Sequence, residues 1–244
     1  MAEFVHLHCH THYSLLDGAT TVDSLIDAAI ENKMPAVALT DHGVMFGALE
    51  FYKKAKKKKI KPIIGCEFYI VTKGSRFDRG QMVAQCDTIA PIGTKTSRNV
   101  YHHIVLLAKN EIGYRNMLKL TTLGHTEGFY YKPRIDYKLL SEYSDGIVCL
   151  SACAGGIVAS HLVNENYDEA KDVARMYKDV FGDDFYLELQ DHNYYIEKNV
   201  LAGLPKIAKE LNIKLIATND VHYIKQSHSV GHNIMLNIPD ASST

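Results

Sequence analysis

The sequence predicts an α/β fold, a distorted (β/α)7 barrel of the TIM-like kind, on three observations. Short apolar runs alternate with helical periodicities along almost the whole chain, as repeated βα units require. Metal-capable side chains follow one apolar run after another, and barrels place their chemistry at the C-terminal ends of many different strands. The length, 244 residues, suits one large α/β domain better than two small ones. An open doubly wound sheet is the competing architecture.

Phe4 to His8 is expected as the first strand, where alternation sends His6, His8 and His10 to one face and Leu7 and Cys9 to the other. Leu16-Asp17-Gly18 turns the chain. Val22 to Asn32 reads as a helix with Thr20 or Thr21 as its cap and Leu25, Ile26, Ala29 and Ile30 along one side. Met34-Pro35 ends it. Ala36 to Thr40 is the short, continuous apolar run of a buried parallel strand and leads into Asp41-His42-Gly43.

A second helix covers Phe46 to Lys58 and enters a basic stretch, Lys53 to Lys61, in which only Ala55 and Ile60 are not lysine. The run from Lys61 to Cys66 is the third strand, ending in Glu67 and extended by Phe68 to Thr72. Residues 73–100 are polar, with scattered Gly and Pro, and too long for an ordinary connection. They read as an irregular insertion over one end of the domain.

Ile104 to Ala108 is the fourth strand, introduced by His102-His103. Glu111 to Leu123 is helical, residues 128–134 form an aromatic and basic loop, and a short helix starts at Asp136. Gly146 to Leu150 is the fifth strand, with Ser151-Ala152-Cys153 at its end. Two helices, near Gly156 to Val163 and Tyr167 to Phe181, precede the sixth strand, Phe185 to Leu189, which ends in Gln190-Asp191-His192. Tyr194 to Leu211 is a long helix containing Pro205. The seventh strand, Lys214 to Ala217, leads to Asp220 and His222, and a last helix spans Ser229 to Leu236. Seven strands separated mostly by helices point to a parallel sheet with right-handed crossovers.

Composition narrows the function. Hydrophobic residues make up 46% and charged residues 23%, the balance of a globular protein and not of a disordered one. With 27 basic and 28 acidic side chains, any nucleic-acid contact must come from a local patch. Five cysteines, an odd number without secreted-domain spacing, argue for reduced thiols and a cytoplasmic location. No apolar run is long enough to span a bilayer, and no membrane partner is expected.

Four histidines and a cysteine between His6 and His12 need a chemical reason. An isolated HxH is equally a tag or a solvated cluster, and an isolated cysteine such as Cys153 is more often an inert core thiol. Here the groups recur at successive strand ends: His8 and His10, Asp41 and His42, Glu67, Cys153, Gln190 to His192, and Asp220 with His222. So many anionic ligands on one rim raise one another's pKa unless divalent cations offset them. Mixed imidazole and carboxylate suits zinc or manganese better than magnesium alone. Cys9, Cys66, Cys86 and Cys149 have no such placement and read as structural.

The series HLHCHTHYSLLDG, LTDHG, IIGCEFY, HIVLLAKNEIGY, GFYYKPRID, LSAC and TNDVHY resembles the PHP (polymerase and histidinol phosphatase) family, most closely the PHP domains of bacterial DNA polymerase III alpha subunits. The resemblance covers nearly the whole chain. It implies a single PHP domain over residues 1–244, without the polymerase domains, and a site for three divalent ions, zinc, manganese or iron. In that pattern His8 and His10 hold one metal with Glu67 and Asp220. Glu67 bridges to a second metal held by His103 and Cys153, and Asp17, His42 and His222 hold the third. Of the histidine pair, His103 abuts the apolar run and is preferred; alternation sends His102 to the other face. His6 and His12 fall outside the pattern.

The implied activity is metal-dependent hydrolysis of DNA phosphodiesters by metal-bound hydroxide, as a 3'-5' exonuclease of the proofreading type. Glu67 and Asp220 act at the reacting centre and Arg134 clamps phosphate. The implied partners are DNA, single-stranded or at a 3' end, the remainder of the polymerase chain, and replisome subunits. A phosphomonoesterase like histidinol phosphatase and a non-catalytic, metal-stabilised scaffold that docks polymerase partners are the alternatives. No phosphate-cradling GxxxxGK[ST] loop or Ser-His-Asp arrangement supports other chemistry. The lysine run is either a solvated helix face or a contact to a nucleic-acid backbone. Tyr130, Tyr131 and Lys132 are either ordinary core and surface residues or a base-stacking, phosphate-gripping loop.

Overall fold

The computed structural model describes residues 4–15, 17–71, 73–79 and 101–238. Most of the expected insertion, residues 80–100, and Cys86 with it, lie outside the described residues. The chain divides into two compact units, Met1–Cys66 with Asn219–Thr244, and Glu67–Thr218. Among the described residues, no helix is long and apolar enough to cross a membrane.

In the first unit, helix α1 (Val22–Glu31) starts at a capping box: the Thr21 side chain accepts from the Ser24 N–H and Ser24 returns a bond to the Thr21 backbone. Strand β1 (Ala36–Leu39) pairs in parallel with the start of β2 (Lys61–Val71), Ala36 facing Lys61 and Leu39 facing Ile64. Helix α2 (Ala48–Lys57) turns Phe51 and Ala55 inward. The core gathers Cys9, Val22, Leu25, Ile26, Ala29, Val37, Leu39, Phe51, Ala55 and Ile60. At about 25 cal/mol per Å2 of apolar area removed from water, such a cluster supplies the main driving force for the unit.

The expected first strand is not a ladder. Residues 6–10 share two backbone bonds with each of two neighbours: Ala38 N–H donates to His6 O (2.9 Å), Thr40 N–H to Cys9 O (2.8 Å), Val221 N–H to His8 O (3.0 Å) and His10 N–H to Val221 O (2.7 Å). Alternation survives: Cys9 enters the core while His8 and His10 project to the opposite face. Gly18 lets the turn close, because a Cβ there would sit 1.8 Å from Thr11 O. Helix α8 (Ser229–Asn237) ends the description and buries no residue.

The second unit holds the rest of β2 and strands β3 (His102–Ala108), β4 (Phe129–Tyr130), β5 (Lys132–Asp136), β6 (Ile147–Leu150), β7 (Phe185–Leu189) and β8 (Lys214–Ala217). Their order is β4-β5-β2-β3-β6-β7-β8. Helices α3 (Glu111–Thr126), α4 (Tyr137–Glu142), α5 (Ile157–Val163), α6 (Tyr167–Phe181) and α7 (Glu197–Leu211) connect them. Asn110 caps α3 and Asp136 caps α4, each accepting a backbone N–H.

Two features depart from the expected all-parallel order. Residues 128–134, read as a loop, form the antiparallel β4–β5 hairpin, with Tyr131 at its tip in a left-handed conformation (φ 60°). Strand β3 begins two residues earlier than expected and runs antiparallel to β6, Val105 facing Leu150 and Ala108 facing Ile147. The reversal puts the start of β3 beside the end of β6. His103 is therefore not at the C-terminal end of a strand, and it still reaches the segment that follows β6, donating its N–H to Gly155 O at 3.0 Å.

Candidate metal centres

In the first unit the extended N-terminal segment, the turn at Asp17, the end of β1 and the segment 220–222 bring six predicted ligands together. His8 Nε2 and His10 Nε2 lie 3.3 and 3.0 Å from the same oxygen, Asp220 Oδ1. His42 Nε2 lies 3.0 Å from Asp17 Oδ2 and 3.4 Å from His222 Nε2. The His10, His42 and His222 rings cluster, the His10 centroid 4.0 and 4.4 Å from the other two and those two 5.6 Å apart.

Hydrogen bonds fix the tautomers of two of these rings. Ser14 Oγ donates to Asp41 Oδ1 (2.8 Å), so its lone pairs receive the His42 backbone N–H (3.1 Å) and His10 Nδ1–H (3.2 Å). In the neutral ring His10 Nε2 is then the basic nitrogen, and it lies 3.0 Å from a carboxylate oxygen. His222 Nδ1–H donates to the Asp220 carbonyl (2.9 Å), which leaves its Nε2 the basic nitrogen as well. Asp220 makes this possible by adopting a left-handed backbone, φ 48°, tolerated by Asp better than by most residues. A basic ring nitrogen facing a carboxylate at contact distance needs a proton or a metal ion between them, and the donor set fits a borderline divalent metal.

Burial disfavours the charged form of Asp220, but the imidazoles of His8, His10 and His222, when they carry a proton, outweigh it and hold the carboxyl well below the usual range; a cation in the proton's place would act in the same direction. Asp17 is likewise lowered, burial opposing and His42 prevailing. Asp41, although it follows β1 beside His42, is not among the converging ligand atoms. It is buried and accepts from Thr11 N–H (2.6 Å), Thr11 Oγ (3.0 Å) and Ser14 Oγ. Burial raises its pKa against those hydrogen bonds. It clasps the turn that carries His10.

In the second unit Glu67, His103 and Cys153 converge. His103 Nδ1 lies 3.0 Å from Glu67 Oε1, and Cys153 Sγ lies 4.0 Å from that oxygen and 3.9 Å from His103 Nδ1. Gly155 donates its N–H to the sulfur (3.4 Å) and presents no side chain to His103; a Cβ there would meet Nδ1 at 3.1 Å. One carboxylate, one imidazole and one thiol match the donor types zinc takes. His102 turns away into the interior beside Ser160 (3.4 Å). Burial, with His103 and His161 nearby, pushes its pKa down to about 3, so it stays neutral.

Arg134 does not face a ligand site. It is 1% exposed, and its guanidinium donates to the carbonyls of Gly128 (3.1 Å), Arg76 (3.0 Å) and Asp78 (2.8 Å). Its role is to tie residues 76–78 to the β4–β5 hairpin, so the expected phosphate clamp is withdrawn. Arg76 beside it pairs with Asp136 and Glu127. Behind Cys153 lies a small cavity lined also by Glu188, Gln190 and Glu197. Buried Glu188 accepts from Gln190 Nε2 (2.9 Å) and from the Thr218 hydroxyl. Ser14 and Glu188 went unremarked in the sequence: no spacing distinguishes a lone serine in a turn or a glutamate inside an apolar run. His192, at the end of β7, pairs with Glu197 (2.7 Å) and joins neither ligand group.

The PHP domain family model matches residues 6–192. DNA polymerase III subunit alpha of Borreliella burgdorferi is 44% identical over 235 residues, and that of Aquifex aeolicus 43% over 239, each match covering 96% of this chain. The chain spans about one fifth of the length of these curated relatives, 19% in both. Among solved structures, a protein assigned as a metal-dependent phosphoesterase from Bifidobacterium adolescentis superposes with a TM-score of 0.53 at 16% identity, over 91% of this chain and 89% of its own. An amidohydrolase from Chromobacterium violaceum gives 0.53 at 13%, over 95% and 96%. These likenesses show the fold, α/β of the distorted TIM-like kind.

Proposed function

The chain belongs to the PHP domain family, and from that premise we propose that it is the metal-dependent phosphoesterase domain of a bacterial replicative polymerase alpha subunit, removing nucleotides from the 3' end of DNA. The observation that carries this reading is the convergence of His8 Nε2 and His10 Nε2 on Asp220 Oδ1, with His42 Nε2 between Asp17 and His222 beside it. A protein has little reason to bury such a cluster except to hold cations.

His8, His10 and Asp220, Asp17, His42 and His222, and Glu67, His103 and Cys153 are the three ligand groups of this proposal. Divalent ions bound there, zinc, manganese or iron, would activate water and offset charge on the entering and leaving oxygens of a phosphoester. Asp220, held ionised, supplies negative charge and has no proton to give. Ser14 fixes which nitrogen of His10 faces inward. The family resemblance assigns Glu67 and Asp220 to the reacting centre, and no arginine is assigned to the phosphate. This reading treats residues 1–244 as one PHP domain with an insertion at 73–100. Its partners are DNA, the rest of a polymerase chain and other replisome subunits, in the cytoplasm.

The test is a 5'-labelled single-stranded oligonucleotide incubated with the chain and manganese or zinc, resolved on a denaturing gel. A ladder shortened stepwise from the 3' end, absent with Asp220→Ala, is expected. Phosphate release from small monoesters alone would replace the reading with a phosphomonoesterase. Inertness of the fully metallated chain toward both would leave a scaffold.

A further inference from the structure

Helix α2 has three faces roughly a third of a turn apart. Ala48, Phe51 and Ala55 are buried. Glu50, Lys54 and Lys58 form the ion-paired face: Lys54 Nζ lies 2.6 Å from both Asp23 and Glu50, and Lys58 Nζ 2.6 Å from Asp27. The third face consists of Leu49, Tyr52, Lys53 and Lys56, with exposed Lys57 at its edge, about 40° beyond Lys53. At about 100° per residue these four fall within about 100° of one another, and all are exposed. Phe46, just before the helix, is 69% exposed, Leu49 60% and Tyr52 48%.

The lysines divide accordingly. Those facing α1 are neutralised by its acids. Among the described residues no carboxylate pairs with Lys53, Lys56, Lys57 or Lys59, and no Asp or Glu occurs between Phe51 and Cys66. In a chain of formal charge -1, this is a local cationic strip with aromatic rings set into it. Uncompensated lysines beside exposed aromatics fit a ligand that offers anionic oxygens and flat apolar faces in alternation. An acidic peptide supplies the first of these but not a run of the second. The strip also begins next to chemistry, since Phe46 follows the candidate ligand His42 by four residues in the same unit.

We propose that this face of α2 binds a single strand of nucleic acid, with phosphates on Lys53, Lys56 and Lys57 and bases against Tyr52 and Phe46, and leads it toward the centre that contains His42. Its purpose rests on the phosphoesterase reading; the binding itself does not. Charge alone would hold any polyanion, whereas rings at this spacing add stacking, which is tolerant of sequence and favours unpaired bases.

The test is fluorescence anisotropy of a labelled oligo-thymidine against the 244-residue chain over a salt series. Lys53→Gln, Lys56→Gln and Lys57→Gln combined are expected to lower affinity at least tenfold at low salt. They should also reduce the log–log salt slope by about 2, at roughly 0.7 per phosphate contact on a single strand. Tyr52→Ala is expected to weaken binding about tenfold with the slope unchanged. Lys54→Gln, on the paired face, should change neither. Hydrolysis of bis(4-nitrophenyl) phosphate, which has no strand to lay along α2, should be the same in all variants. An unaltered slope in the triple variant overturns the proposal. So does a Tyr52→Ala variant that binds as tightly as the parent while the lysines matter equally for heparin, because the strip would then be a polyanion patch only. Either failure leaves the hydrolytic assignment untouched, and failure to cleave DNA leaves the binding result readable.

Discussion

Ser14→Ala tests whether the orientation of His10 is built into the protein. The serine hydroxyl is buried and joins three groups: Asp41 Oδ1 at 2.8 Å, the His42 backbone N–H at 3.1 Å and His10 Nδ1 at 3.2 Å. Alanine removes an acceptor from two buried N–H groups and a donor from a carboxylate that keeps Thr11 N–H and Thr11 Oγ. Leaving a buried polar group unsatisfied costs about 1–3 kcal/mol. Asp41 has other donors and the rings can shift, so the expected loss is about 2–3 kcal/mol in metal-stripped protein. Urea denaturation followed by circular dichroism measures it. Freeing the His10 tautomer should also weaken metal binding by about 10–100-fold, read by competition with a chromophoric chelator. Retention of metal affinity within twofold, alongside the stability loss, would refute the claim that Ser14 orients the ligand and leave it a purely structural hydroxyl.

Three other outcomes are expected. Asp220→Ala and His10→Ala should each abolish hydrolysis while the far-ultraviolet dichroism stays that of the parent, since neither side chain belongs to the apolar core; unchanged turnover in both would sink the metal-centre assignment. His102 titrates near 3 in the fold and near 6.5 in an unfolded chain. Between those values the unfolded state binds the extra proton, so stability is full above about pH 6.5 and falls as pH drops through that window. His102→Leu should remove up to about 1.4 kcal/mol per pH unit of that slope, measured from urea midpoints, and an unaltered slope would refute it. Gly18→Ala places a methyl where Thr11 O lies 1.8 Å away, which should cost about 3 kcal/mol and weaken the Asp17–His42 contact; a melting temperature equal to the parent's would show that the turn has room.

Periodicity made much of the fold legible. The sixth and seventh apolar runs coincide with β7 and β8, and Thr21 caps α1 as its position before Val22 implies. What periodicity does not carry is direction. His102-His103 precede an apolar run, and only the antiparallel pairing of β3 with β6 explains how a residue at the start of a strand meets Cys153. The N-terminal segment alternates like a strand but lies between neighbours that each offer it only one or two bonds, so no ladder forms. At the site, histidines, carboxylates and Cys153 announce themselves by type and recurrence. Arg134 misleads for the same reason: a cation near aromatics suggests a ligand, and its three carbonyl acceptors come from Gly128 and from residues more than fifty positions away in sequence.

The clasp of Asp41 on the Thr11–Ser14 turn has a kinetic consequence. Every bond in it is made between protein groups, so the loop bearing His10 is held whether or not an ion has arrived. Uptake of a metal then requires little rearrangement of the chain, and its rate should approach that at which an aqua ion sheds water. A cage fixed in advance selects by fit, favouring ions whose size and preferred geometry match the donors as they stand. Which metal is retained there would follow that match together with the supply of each ion.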